Sequence, residues 1–354
     1  MSQAMKKPIL ITFLVVLSLF AAGVLPKSAV SEPREITIMT HDSFSVSKTV
    51  VALFEKQEQV KIRFLKTGDA GAALNQAILS RNNPLADLFY GVDNTFISRA
   101  LKAGIFEAYP SPMLQHVPDE LKLDPQFRLL PVDFGDVCLN YDKGWFTKKN
   151  IQPPRDIGAL IDPRYRNLTV VENPATSSPG LAFLLTTVGN FGETGYLDYW
   201  KKLKENGVLV TNGWQEAYWG SFSAASKGNR PIVVSYASSP PAEVYYSKQK
   251  LTEAPTAAIT TAGSCYRQIE FAGILKGSRH PELVRKLIDF LLDTPFQEDI
   301  PLQMFVFPSN RKARLPEVFT RHTVTADRPI LLNSEQIDAH REKWIEAWTE
   351  TVLR

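Results

Sequence analysis

Hydrophobic and polar positions alternate in short segments that are separated by stretches with helical spacing. Residues 35–40 (E-I-T-I-M-T) and 60–65 (V-K-I-R-F-L) both have the period of two that is typical of a strand. Helical spacing follows at 50–54 and at 72–79, and residues 86–90 predict a third strand. Because strands alternate with helices, the pattern predicts an α/β fold with a mainly parallel sheet.

Two long extended segments interrupt this alternation, at residues 127–141 and 265–275. They predict two α/β lobes joined by two crossing hinge strands, with lobe 1 formed by 32–133 and 271–354 and lobe 2 by 134–270. Ligands of open α/β sheets lie at the carboxyl ends of the strands, and hinged lobes can close on a ligand. We therefore expect a binding cleft lined by strand-end loops of both lobes.

The first residues have the features of an export signal. Lys6 and Lys7 precede an apolar run at 9–25, and Ala29-Val30-Ser31 fits a small-x-small cleavage site. This predicts a signal peptide at 1–31 and an exported protein, with a retained transmembrane anchor as the alternative. Residues 1–31 contain three lysines and no acidic residue, so cleavage reduces the net charge from +3 to zero. A balanced charge argues against nucleic acid as a partner.

Chemistry-bearing motifs are few. Cys138 and Cys265 lack C-x-x-C spacing, which argues against a cysteine zinc site; after export they could pair, or remain two buried thiols. The sequence contains no G-x-S-x-G, H-E-x-x-H, G-x-G-x-x-G or P-loop motif. No cofactor and no enzymatic activity are therefore predicted. A ferric ion held by the phenolates of Tyr236, Tyr245 and Tyr246 stays open as an alternative to simple packing.

Candidate binding residues follow the first two strands. His41 could stack on a ligand or have no specific role, and Asp42 could pair with a cationic ligand or cap the next helix. Asp69 lies in T-G-D-A-G, where glycines allow close backbone approach to a ligand, although a helix cap is the simpler interpretation.

Further candidates follow the strands of the second half. Ser178 is predicted to cap a helix whose free N–H groups suit an anionic or hydroxyl end of a ligand. Trp214, beside Gly213, could stack on a flat or cationic ligand, or pack against the lobe surface. Tyr236 is a second candidate ring, and the hydroxyls of Ser238 and Ser239 could bind polar edges of a ligand.

Several segments together resemble the periplasmic thiamine-binding proteins of bacterial ABC importers, over residues 37–348. The matching segments are T-H-D-S-F (40–44), L-x-x-G-D (65–69), A-D-L-F-Y-G-V-D-N (86–94), N-P-A-T-S-S-P-G-L (173–181), V-T-N-G-W (210–214), V-V-S-Y-A-S-S-P (233–240) and Y-R-Q-I-E (266–270). The resemblance implies a two-lobe type II periplasmic binding protein that acts as a monomer. It also implies thiamine, or its mono- or diphosphate, as ligand and an ABC transporter permease as partner.

Carried over residue by residue, the resemblance implies ligand contacts at Asp69, Ala70, Ser177, Ser178, Trp214, Tyr236, Ala237, Ser238 and Ser239. The family has an aromatic ring where His41 stands and a tryptophan where Phe305 stands, so we expect a thinner aromatic lining here. The same fold binding another solute (ferric ion, a phosphonate or a polyamine) is the first alternative. An exported enzyme acting on thiamine derivatives is the second, although neither cysteine has an evident base nearby.

Overall fold

The computed structural model describes residues 34–248, 251–326 and 328–354, and the predicted signal peptide lies outside this part of the chain. Within the described residues, one mixed sheet contains eleven strands. The strands are β1 (Arg34–Thr40), β2 (Val60–Lys66), β3 (Leu88–Asp93), β4 (Phe106–Glu107), β5 (Leu130–Asp142), β6 (Thr169–Glu172), β7 (Leu209–Thr211), β8 (Ile232–Tyr236), β9 (Thr256–Ile259), β10 (Tyr266–Leu275) and β11 (Phe307–Pro308).

The order of the strands separates two halves joined by β5 and β10. The sheet runs β2-β1-β3-β10-β5-β8-β6-β7, while β4 pairs with β10 and both β9 and β11 pair with β5. Pairing is parallel in β2-β1-β3 and in β8-β6-β7, whereas β5 and β10 are antiparallel, with Ile269 opposite Phe134. The two long extended segments are therefore confirmed as the central strands. The residue boundaries of the two lobes stay a prediction.

The helices cover the faces of this sheet. They are α1 (Lys48–Glu58), α2 (Ala70–Leu79), α3 (Ile97–Lys102), α4 (Lys143–Lys149), α5 (Ser178–Glu205), α6 (Pro240–Tyr246), α7 (Pro281–Leu292), α8 (Thr294–Gln297), α9 (Ile300–Gln303), α10 (Glu317–His322) and α11 (Ser334–Val352). In the part of the chain that the structure describes, no helix is long and apolar enough to cross a membrane.

Helical periodicity predicts the bounds of some helices better than those of others. Apolar residues at helical spacing predict a last helix at 334–352, and α11 spans those residues. Its Trp348 packs edge-on against Trp200 of α5, with 5.5 Å between the ring centroids. The same spacing predicts two separate helices at 181–188 and 196–204, but both belong to α5, which Gly192 interrupts with a φ of 70°. It also predicts a helix at 216–225, where the structure has a short π-helical segment, Glu216–Ser221.

A disulfide joins the two central strands at one end of their pairing. Cys138 lies in β5 and Cys265 directly precedes β10, and their Cα atoms are 4.5 Å apart. Of the two alternatives, the structure shows pairing rather than free thiols. The spacing of the cysteines in the sequence does not reveal that they lie close together. Arg267 reinforces the junction, because its Nε donates to Oδ1 of the buried Asp136 at 2.5 Å.

Candidate functional site

A cavity of about 360 Å³ lies where strand ends of both halves of the sheet converge. This size lies within the range of small-molecule sites. Of the eleven predicted site residues, eight line it: His41, Asp42, Asp69, Ala70, Ser178, Trp214, Tyr236 and Ser239. Sequence reasoning from strand ends therefore brought together residues that are far apart in the chain.

The other three predicted residues, Ser177, Ala237 and Ser238, are buried behind this wall rather than lining it. The Ser177 hydroxyl accepts the Gly180 N–H, so Ser177 caps α5 and the prediction that Ser178 is the cap is wrong by one position. The Ser238 hydroxyl donates to the Phe305 carbonyl, and Ala237 packs beside the disulfide. These residues hold the lining in place.

The carboxylates of Asp42 and Asp69 connect loops that line the cavity. Asp42 does not cap the next helix, because Ser47 caps α1; instead its Oδ1 accepts the Gly68 N–H at 3.0 Å. Asp69 does cap α2, with Oδ1 accepting the Ala70 N–H at 2.8 Å. Its Oδ2 accepts the Trp214 N–H at 3.1 Å, which links the two halves of the sheet. Burial raises the pKa of Asp69, against the effect of these amide donors.

Aromatic rings form one wall of the cavity. Trp214 stacks on Tyr218 with 4.8 Å between centroids and an interplanar angle of 18°, and its indole N–H donates to Ser235 Oγ at 2.9 Å. Packing of one indole face therefore coexists with exposure of Trp214 to the cavity. Three further rings in the lining were missed: Phe44, Tyr218 and Trp219. Tyr246 and Phe305 also line the cavity, although the sequence suggested the first only as a ferric ligand and the second only by resemblance. The helical spacing of Trp214 and Tyr218 was the available signal.

A histidine and a glutamate lie side by side in the same lining. His41 and Glu270 are only 8% and 7% exposed, and His41 Nε2 is 3.6 Å from Glu270 Oε2. Burial lowers the pKa of His41, but the neighbouring Glu270 carboxylate outweighs it and leaves that pKa above its usual value. Glu270 was missed as a site residue, although Gln268 and Glu270 are polar positions two residues apart, directly before the apolar end of the strand at 271–275.

A second carboxyl group lies behind Glu270. Tyr90 donates its phenolic O–H to the fully buried Asp133. Burial raises the pKa of Asp133 well above its usual value, and the nearby Glu270 carboxylate raises it further. Asp133 and Glu270 are thus two neighbouring carboxyl groups, of which only Glu270 lines the cavity.

Comparison with known sequences gives the family. The sequence family of bacterial extracellular solute-binding proteins matches residues 83–327. The chain belongs to that family. It is 29% identical to the thiamine-binding periplasmic protein of Escherichia coli (strain K12) over 324 residues, which cover 90% of this chain and 94% of that protein.

Solved structures support the fold of this solute-binding protein. A periplasmic thiamin binding protein aligns with a TM-score of 0.80 and 26% identity, covering 90% of this chain and 96% of its own. The ferric binding protein from Campylobacter jejuni aligns with a TM-score of 0.72 at 15% identity, covering 89% and 99%. The predicted type II periplasmic binding fold is thus confirmed, and the fold by itself accommodates different ligands.

The structure shows where the groups considered for a metal ion lie. Among the residues that the structure describes, no three His, Cys, Asp or Glu side chains group around a possible metal position. Two of the three tyrosines considered for ferric ion form hydrogen bonds with protein groups. The Tyr246 hydroxyl donates to the Leu302 carbonyl at 3.2 Å, and the Tyr236 hydroxyl accepts from Gln268 Nε2 at 3.1 Å.

Asp93 lies beneath the cavity wall and makes stability depend on pH. It accepts hydrogen bonds from Thr95 and from the hydroxyl of the cavity residue Ser178, yet burial raises its pKa to about 6. The folded state therefore gains from protonated Asp93, and this gain is complete below the ordinary pKa of 3.8 and is lost as the pH rises through about 6.

We expect Asp93→Asn to become relatively more stable as the pH rises. Its free energy of unfolding, relative to the wild type, should increase by about 2 kcal/mol between about pH 4 and about pH 7.5. Urea unfolding at a series of pH values measures this difference. Asp198→Asn, which removes an exposed carboxylate of α5, is the matched control. A difference for Asp93→Asn that stays constant with pH contradicts the prediction.

Proposed function

We propose that this solute-binding protein captures thiamine, or its mono- or diphosphate, in the cavity and delivers it to the permease of an ABC importer. One observation carries the proposal: a stacked Trp214–Tyr218 pair and Tyr236 share a small cavity with the carboxylates of Asp69 and Glu270. Aromatic rings beside carboxylates suit a flat cation. Thiamine is such a ligand, and the relatives described above support the choice.

Each chemical group of thiamine has a suitable partner in the lining of the cavity. The aminopyrimidine is flat, and a stacked ring contributes about 0.5–1.5 kcal/mol beyond its buried area. The thiazolium is cationic and gains about 0.5–2 kcal/mol over an indole or phenol ring. The hydroxyethyl arm, with or without phosphate, would lie near the starts of α2 and α5, whose first residues Ala70 and Ser178 line the cavity.

Transport rather than catalysis fits the groups available. Cys138 and Cys265 are joined in a disulfide, so neither offers a thiolate nucleophile to a bound ligand. His41, a possible base, is engaged by Glu270. Export by cleavage after Ser31, a periplasmic location and action as a monomer complete the proposal, in agreement with the periplasmic relatives.

Calorimetric titration with thiamine, thiamine monophosphate and thiamine diphosphate tests the function. We expect saturable one-to-one binding of at least one of the three, and a folded protein that binds none of them contradicts the proposal. Two controls address the alternatives. Chromatography after incubation should show no release of the pyrimidine, and addition of ferric ion should give no visible charge-transfer band.

A further inference from the structure

Glu270 is a buried carboxylate that lines the cavity without a Lys or Arg partner. Among the described residues, the buried Asp93, Asp133 and Glu172 also lack such a partner, but they lie outside the cavity lining. Asp124 pairs with Arg128 at 2.9 Å and Asp136 pairs with Arg267 at 2.5 Å. Within the described ranges, Glu270 forms an ion pair only with His41, at 3.6 Å. A buried carboxylate without a paired cation is costly, so its position needs a reason.

The surroundings of Glu270 do not supply the missing charge. Lys66 lines the same cavity, but its Nζ donates to the carbonyls of Asp42 and Phe44, at 2.9 and 2.8 Å. Asp133, which lies behind Glu270, is itself an acid and supplies no cation. Nε2 of His41 makes no hydrogen bond, since 3.6 Å is longer than a good one. The cavity side of Glu270 is therefore where a cation would be most stabilised.

Gln268 fixes this carboxylate relative to an aromatic ring. Its Nε2 lies 3.1 Å from the Tyr236 hydroxyl and 3.4 Å from Glu270 Oε1, so one amide connects the ring to the acid. Gln268 is only 1% exposed and stands two residues from Glu270 on the same face of β10. A ligand ring that contacts Tyr236 is thereby placed beside the Glu270 carboxylate.

We propose that Glu270 is the counter-ion through which the cavity selects ligands with a positively charged ring over neutral rings of the same shape. This inference rests on the proposed function and extends it, because it assigns the discrimination to one residue. The aromatic wall binds a flat ring of either charge, whereas the carboxylate adds binding energy only for the cationic one. Binding also relieves the charge imbalance at Glu270.

The test combines a change in the protein with a change in the ligand. Glu270→Gln keeps the size of the side chain and its contact with Gln268 while removing the charge. The ligands are thiamine, its pyridinium analogue, which keeps the positive charge, and its thiophene analogue, in which carbon replaces the ring nitrogen and the ring is neutral. Glu172→Gln is the matched control, because Glu172 is buried, lies outside the cavity lining and has a pKa raised well above its usual value by burial.

Glu270→Gln should weaken both cationic ligands by about tenfold or more and change the affinity for the thiophene analogue by less than about twofold. Equal weakening of all three ligands, or no weakening of thiamine, overturns the role of Glu270 while leaving the thiamine function intact. A wild-type protein that binds neither cationic ligand overturns the proposed function together with this inference. Glu172→Gln should leave the preference for charged rings unchanged, and thermal unfolding confirms that each variant is folded.

Discussion

Replacing Cys138 and Cys265 together with alanine should lower the free energy of unfolding by about 4 kcal/mol. The bond closes a long segment of the chain, with a sequence separation of 127, and loop closure in the unfolded state restricts its entropy more for longer loops. Both cysteines are buried, so the bond is protected from solvent in the folded state. Urea unfolding followed by tryptophan fluorescence measures the difference.

Reduced wild-type protein distinguishes the effect of losing the cross-link from the effect of losing the two cysteine side chains. It keeps both side chains but lacks the cross-link, so it should lose most of the same stability, while alanine adds only a small packing loss. Mass spectrometry after alkylation under denaturing conditions verifies the state of each sample. The prediction fails if wild-type protein that mass spectrometry shows to be fully reduced unfolds at the same urea concentration as the oxidised protein.

Trp214→Ala should weaken thiamine binding by about tenfold or more, because it removes both a stacking surface and a cation–π partner. The indole is well positioned for this role: Tyr218 supports one face, and Ser235 holds the N–H. Its backbone N–H bonds to Asp69, and alanine keeps this link between the halves of the sheet. The loss should therefore come from the ring itself, as measured by calorimetry.

Two variants control for the removal of a large side chain. Trp145→Ala deletes a partly buried tryptophan outside the cavity and should leave affinity for thiamine unchanged. Trp214→Phe keeps a flat ring but loses the hydrogen bond to Ser235, so its affinity should lie between those of the wild type and Trp214→Ala. Unchanged affinity in Trp214→Ala would remove this residue from the site.

The periodicity of apolar residues predicted much of the fold, because a helix or strand that is buried on one face has apolar residues at regular spacing. Helix α7 is an example: Leu283, Val284, Leu287, Ile288 and Leu291 have helical spacing, and all are buried. Strand ends then indicated most of the cavity, because parallel strands in one sheet place their carboxyl ends along one edge. This argument needs only the order of elements, which local patterns provide.

Contacts that depend on the relative positions of distant elements could not be predicted in the same way. Glu270 lies within a strand rather than after one, and it meets His41 only because β10 pairs with β3, next to β1. Pairing of Cys138 with Cys265 similarly depends on the antiparallel pairing of β5 and β10. Cap positions are ambiguous for another reason: Ser177 and Ser178 have the same chemistry, and only backbone geometry distinguishes them.

Strand β10 comes late in the chain, yet it forms the middle of the sheet. Tyr90 of β3 pairs with Ala272, so the first half keeps an open sheet edge until β10 has been synthesised. Such long-range pairing slows folding, because distant segments must meet before the sheet gains stability. The export proposed for this chain requires it to be unfolded during passage, and the late pairing of β10 favours that state. Until β10 pairs, the open edge of β3 is also a surface on which chains can aggregate.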